Sequence, residues 1–245
     1  MHNNVISTLK RRDLDLFKPH LREIELEKDL VIAEPGDDIE TVYFPISGIV
    51  SFLVSLNDGS FVQTLMVGCD GVVGASQAFD DGQSINKIVV LMAGSALALH
   101  RDHLRRIVND RSEVRHTFAA LEQFMLTDIQ QTAACNARHS VEQRCARWLM
   151  RTRDLVGDQL LITQADLADL IGVRRTSVTE VSTKLQDVGA IGWRRGKLVI
   201  VDADRLSAYS CECHQSVRNN YESLFGQPWR RVRTNGSKCG PEPSP

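Results

Sequence analysis

Between residues 21 and 100, apolar positions come in short bursts, each bounded by Gly, Pro, Asn or Asp. Seven bursts read as strands: Glu23–Leu26, Leu30–Ala33, Thr41–Phe44, Ile49–Leu56, Phe61–Val67, Lys87–Met92 and Ala96–Leu99. Short strands at this spacing predict an all-β barrel or jelly roll. Asn57-Asp58-Gly59-Ser60 is the clearest hairpin turn among them. Ahead of the strands, Val5–Phe17 reads as one short helix with Leu9, Leu14, Leu16 and Phe17 facing inward.

The period changes after residue 100. From Arg101 to about Arg138 there is almost no Gly or Pro, so a short helix followed by a long one is predicted. Val114, Phe118, Leu121 and Met125 follow a 4-3-4 spacing, extended by Asp128, Thr132 and Cys135. Leu126 and Ile129 lie on an adjacent face. A long helix leaving a barrel has two sides to bury. We therefore expect one side on the barrel and the other against the same helix of a second subunit, with Val114, Phe118, Leu121, Met125 and Thr132 at that interface.

The stretch from Thr163 to Gln186 reads as two helices around a tight turn. Thr163 caps the first, with Asp166 three residues later. Leu167, Ala168, Leu170 and Ile171 form its apolar stripe, and Gly172 supplies the turn. Val178, Val181, Leu185 and Val188 give the second helix one buried face, and Gly189 closes it. Arg174, Arg175, Thr176, Thr179 and Glu180 are left exposed. Arg can pair with guanine, Glu can accept from cytosine and a Thr methyl can touch thymine. Downstream, Ile191-Gly192-Trp193 and Leu198–Val201 are β-prone runs joined by Arg194-Arg195-Gly196-Lys197, a basic hairpin tip suited to phosphate.

Charge sharpens this picture. Residues 138–197 hold 11 Lys and Arg against 7 Asp and Glu, a net of +4, whereas residues 1–137 carry −7. The near-neutral whole, −2, hides a basic segment that coincides with the helix pair and hairpin. We take the DNA-facing set to be Thr163, Gln164, Arg174, Arg175, Thr176, Ser177, Thr179, Glu180, Lys184, Arg194, Arg195 and Lys197. No apolar run approaches a membrane span and the first thirty residues have no signal-peptide core, so a cytoplasmic protein is expected. Six scattered cysteines in a chain of 245 residues fit reduced thiols.

The order of these parts, β-roll, long helix, helix-turn-helix and wing, resembles the Crp/Fnr family of bacterial transcription regulators over about residues 10–205. The resemblance rests on Glu34-Pro35-Gly36-Asp37, Val42-Tyr43-Phe44 with Ser47-Gly48, Asp58-Gly59, Gly71, Gly74, Phe79-Asp80-Asp81-Gly82-Gln83, Leu161–Gln186 and the wing. It implies an α+β chain with an N-terminal double-stranded β-helix (jelly-roll) sensor domain over 1–111 and a dimerisation helix over 112–138. A C-terminal winged helix-turn-helix would then span 139–209. Over 210–245, past the reach of the resemblance, we expect a C-terminal helix and, after about Glu222 where Gly, Pro, Arg and Ser take over, a disordered tail. It implies partners too: double-stranded DNA, a second copy of the chain, and RNA polymerase. The family's reading helix falls on Arg174–Lys184, with base-contacting positions at Arg175, Thr176, Thr179 and Glu180. Thr and Glu stand where Glu and Arg are usual, so the operator should differ from that of the cyclic-AMP receptor protein.

The same resemblance frames the sensor pocket. Cyclic-nucleotide binders of the family hold the ribose with a Glu after the phosphate-loop Gly, and clamp the phosphate with an Arg-Ser pair. Here Ala75 follows Gly74, next to Ser76, and Ile85 and Asn86 occupy the Arg-Ser positions. Loss of a charge-assisted pair is on the order of 1.5–3 kcal/mol. Lys87 should face the other way by strand alternation. Tight cyclic-AMP or cyclic-GMP binding is therefore not expected, and the effector is unknown.

Other chemistry is weighed against this. An N-terminal iron–sulfur cluster is disfavoured because residues 1–68 contain no Cys. Cys211-Glu212-Cys213-His214 offers zinc ligands, but not at a four-ligand spacing, so free thiols on a C-terminal helix are the preferred reading. His20, His100, His103 and His116 carry no haem constellation. A cupin-like metalloenzyme needs His on its strands, and residues 21–99 have none. We expect no catalysis, no metal and no cofactor. A non-specific nucleoid binder and a protein-binding helix-turn-helix remain as competing readings.

Overall fold

The computed structural model describes residues 3–76, 79, 82–194 and 196–229. Two short helices, α1 (Asn4–Thr8) and α2 (Arg11–Phe17), replace the single helix expected. The chain breaks between them because Leu9 and Lys10 are extended. Phe17 is fully buried, whereas Leu16 points outward at 40% exposure.

Seven strands follow close to their predicted places: β1 (Arg22–Leu26), β2 (Val31–Ala33), β3 (Thr41–Pro45), β4 (Ile49–Ser55), β5 (Phe61–Val67), β6 (Lys87–Met92) and β7 (Gly94–His100). They form two antiparallel sheets, ordered β1-β7-β3 and β2-β6-β4-β5. Alternation fixes the register: Val42 and Phe44 of β3, and Ile88, Val90 and Met92 of β6, all point inward.

α3 (Arg101–Asp110) and α4 (Ser112–Arg138) come next. The 27 residues of α4 make a rod of about 40 Å. Its 4-3-4 stripe does not face outward. Val114, Phe118 and Leu121 are fully buried in the subunit's own core with Val42, Phe44 and Leu104. The Phe118 ring meets Phe44 edge-on at 6.3 Å. Met125 is half-buried against the roll, and Thr132 accepts a hydrogen bond from Arg147 at 2.9 Å. The five residues expected between subunits are thus turned inward. Periodicity reports that a face is buried, not what covers it. The exposed face instead carries Ala119, Leu126, Ile129 and Ala133, with Leu126 at 55% and Ile129 at 37% exposure.

α5 (Val141–Val156) opens on a Ser140–Gln143 capping box. β8 (Gln159–Leu160), α6 (Gln164–Ile171), α7 (Arg175–Asp187), β9 (Ile191–Arg194) and β10 (Lys197–Ile200) build the winged unit, with its sheet ordered β8-β10-β9. This unit shares one core with the roll: Ile49, Leu53, Met66 and Met92 pack with Trp148, Leu149, Leu167 and Leu170. The Trp148 indole donates to Gln63 Oε1 at 2.6 Å across that boundary. α8 (Ala203–Tyr209) and α9 (Cys213–Phe225) follow. α9 lies along α4, where Tyr221 and Trp229 enclose Phe124. The chain expected to be disordered beyond Glu222 is therefore ordered and packed through Trp229. Arg230, Arg231, Arg233 and the remaining tail lie outside the described residues.

Candidate nucleic-acid interface and effector pocket

Local sequence builds the helix pair. Thr163 Oγ1 accepts from the Asp166 amide at 3.1 Å, and the Asp166 carboxylate accepts from the Thr163 amide at 3.0 Å. α6 ends at Gly172, whose φ of +65° is the left-handed cap that glycine tolerates. α7 starts without a side-chain cap, at Arg174. At 100° per residue, Val178, Ser182 and Leu185 fall on its buried arc, Thr176, Glu180 and Thr183 fall opposite it, and Arg175 and Thr179, nearer the buried edge, are exposed as well.

Not every expected residue of this face is free. Thr179 Oγ1 lies 2.9 Å from Gln164 Oε1, which fixes α7 against the start of α6. Ser177 is half-buried. Lys184 is exposed at the edge of the arc, and its ammonium pairs with Glu142 at 2.6 Å and sits 5.3 Å from the Tyr209 ring. In the wing, Arg194 pairs in register with Lys197, and both are exposed. Arg195 lies outside the described residues. Thr163, Arg174, Arg175, Thr176, Glu180, Arg194 and Lys197 are exposed and lie on the α6–α7 pair and the wing.

Arg144, which sequence reading passed over, holds the reader in place. Its guanidinium donates to the Ile171 carbonyl at the end of α6 and to Asn136 Oδ1 of α4 at 3.0 Å. No local pattern marks it, because its acceptors lie on other helices, Ile171 being 27 residues away.

A pocket of about 280 Å³ lies open between the roll and α4, and one of its lining residues, Ile85, is 88% exposed. Gly74, Ala75, Ser76, Ile85 and Asn86 all line it. Glu122 and Met125 complete the wall from α4. Met125 had been expected between subunits. Glu122 is the sole charged side chain among the described lining residues, and burial pushes its carboxyl above the ordinary range. Lys87 turns away, to Glu34 at 2.6 Å. Asp80 and Asp81, beside this loop, lie outside the described residues.

The cyclic nucleotide-binding domain family matches residues 23–111, and the Crp-like helix-turn-helix domain family matches residues 143–209. The chain belongs to the Crp/Fnr family. It is a Crp-like transcription regulator with a helix-turn-helix DNA-binding domain, in a family of regulators rather than enzymes. It is 27% identical over 185 residues to the CRP-like cAMP-activated global transcriptional regulator of Mycobacterium tuberculosis, covering 71% of this chain and 80% of that one. The fold is similar to that of FixK2 from Bradyrhizobium japonicum, at 19% identity and a TM-score of 0.66, covering 78% of this chain and 98% of that one. A CRP/FNR-family transcriptional regulator of Thermus thermophilus matches at 18% identity and a TM-score of 0.63, covering 77% and 98%. Among the described residues, no helix is long and apolar enough to cross a membrane.

Proposed function

We propose that this Crp/Fnr protein reads a specific two-fold operator as a homodimer, and that its sensor cavity does not respond to cyclic AMP. The observation that carries the reading is the exposed arc of α7. It presents Arg175, Thr176, Thr179 and Glu180 beside a wing bearing Arg194 and Lys197. Base-reading and phosphate-positioning groups are thereby separated on two elements, as direct readout requires. Contact with RNA polymerase follows from the family, and in vitro transcription from a bound promoter tests it.

The subunit contact falls on the outward face of α4. Ala119, Leu126 and Ala133 repeat every seven residues, with Ile129 between, which is a seam for a second copy of the helix. Family members are typically dimers. A two-fold dimer presents two reading helices to half-sites about one helical turn apart.

The cavity favours a ligand other than a cyclic nucleotide. Ala75, Ile85 and Asn86 supply no cation, and Glu122 has the sign of a phosphate. Added cyclic AMP should leave the melting temperature and DNA affinity unchanged. A ligand at a hundred times its dissociation constant would add about 2.7 kcal/mol, so clear stabilisation at micromolar nucleotide would overturn this part.

Selection of bound sequences, followed by variants, tests the reader. Arg175→Ala should lose discrimination, on the order of 1–3 kcal/mol for one bidentate contact, while Lys197→Ala should weaken all sequences alike. Identical behaviour of the two would favour a non-specific binder instead.

A further inference from the structure

We propose that Cys135, His139, Cys211 and Cys213 form a closed four-ligand site for a single zinc ion, which fastens the start of α9 to the last turn of α4. The four residues come from distant parts of the chain, yet their ligand atoms all lie within 4.8 Å of one another. Cys135 lies in the last turn of α4, and His139, four residues on, is the C-cap whose amide donates to the Cys135 carbonyl. Cys211 and Cys213 bracket Glu212, the N-cap of α9.

The spacings fit one tetrahedral ion. Zinc at about 2.3 Å from sulfur and about 2.05 Å from nitrogen sets S···S edges near 3.8 Å and S···N edges near 3.6 Å. Cys135 Sγ stands 3.6 Å from Cys211 Sγ, and Cys213 Sγ stands 3.5 Å from His139 Nδ1. Three thiolates and one imidazole are soft and borderline donors that favour zinc over magnesium or calcium. Four protein ligands leave no open position, which marks a structural rather than a catalytic site.

The surroundings are those of a metal site rather than of packed thiols. His139 Nε2 faces Glu212 Oε1 at 3.3 Å, so a carboxylate orients the ring and leaves Nδ1 for the ion. Gln131 Nε2 donates to Cys213 Sγ at 3.0 Å. All three cysteines are buried, at 5% exposure or less, in a cluster of their own. His214 takes no part, because its ring pairs with Asp154 at 2.8 Å. The run Cys211–His214 therefore splits, and the missing ligands come from α4. α5 begins two residues after His139, so the ion sits where the long helix hands over to the DNA-reading unit.

Metal analysis of the full-length protein, purified under reducing conditions and reconstituted with zinc, tests this independently of DNA binding. One zinc per subunit is expected, and cobalt(II) exchange should give thiolate charge-transfer bands with tetrahedral d–d bands. Cys213→Ser and His139→Asn should lose the stoichiometric ion. Cys145→Ser, buried outside the cluster, should keep it. Should the ligand variants fail to fold, the wild-type metal content and cobalt spectrum decide alone. Wild-type protein that binds no stoichiometric zinc, that carries iron and sulfide instead, or whose folded Cys211→Ser variant keeps full zinc would overturn the proposal.

Discussion

Arg151 on α5 donates to Asp70, in the loop after β5, at 2.6 Å, with both side chains at 5% exposure or less. Asp70 also accepts from the Gly68 amide, Asp128 of α4 stands 3.7 Å from the same guanidinium, and the Trp229 ring lies 4.8 Å from it. Burial alone would lower the Arg151 pKa, but the Asp70 and Asp128 carboxylates outweigh it and raise the pKa. One cation thus joins the roll, the long helix and the C-terminal segment. Removing a single partner of a buried pair costs about 3–5 kcal/mol, because the other charge is left uncompensated. Asp70→Ala should fall near the lower end, since Asp128 remains. The double variant Asp70→Leu with Arg151→Met should be much less unstable than the two single changes added together. Urea unfolding of the four proteins gives the coupling, and simple additivity would show that the pair is not a unit.

Gly172 ends α6 at φ +65°, and a Cβ built there would stand 3.1 Å from Val62 Cγ2 on β5. Two penalties therefore meet at one position. A left-handed alanine costs roughly 1–2 kcal/mol, and the contact pushes the first helix of the reader away from the roll. Gly172→Ala should lower the melting temperature, and adding Val62→Ala should restore only the contact share. Full restoration would mean that the backbone conformation carries no cost.

The parts of this fold that announce themselves in sequence are those held by neighbours along the chain. The strands appear through alternation, as in β5 and β6, whose predicted bounds coincide with those observed. The helix pair appears through Thr163, Asp166 and Gly172, each acting on its own turn. What stays hidden is the identity of the opposite surface. Val114, Phe118 and Leu121 show a buried stripe, but nothing local says that Phe44 rather than a second subunit covers it. Lys184 looks free until Glu142, 42 residues away, is placed beside it. Cys211 lies 76 residues from Cys135, and their meeting depends on how α9 lies along α4.

Glu122 faces the cavity between the roll and α4, and burial raises its carboxyl pKa above the ordinary glutamate value. A raised carboxyl holds its proton more tightly in the folded state than in the unfolded chain. Its stabilising share is complete below the unfolded value and is lost as pH rises through the folded value. Glu122→Gln does not titrate. The variant's stability relative to wild type should therefore climb from acid towards neutral pH and then level off. Denaturant melts across that range measure the gap, and a gap independent of pH would show that the carboxyl is not desolvated.

The outward face of α4 offers a separation that a single stripe could not. Leu126 and Ile129 are exposed in the subunit, so charging them should cost the isolated fold little. Across a two-fold axis each Leu126→Glu meets its own copy or a near neighbour, and like charges replace apolar contact. Leu126→Glu with Ile129→Glu should sediment as a folded monomer and lose DNA affinity, because the two half-sites are no longer bound together. Phe118→Ala should behave in the opposite sense. It removes a ring from the subunit's own core, at about 3–5 kcal/mol, and leaves the seam untouched. A charged-seam variant that remains dimeric would move the interface off this face of α4.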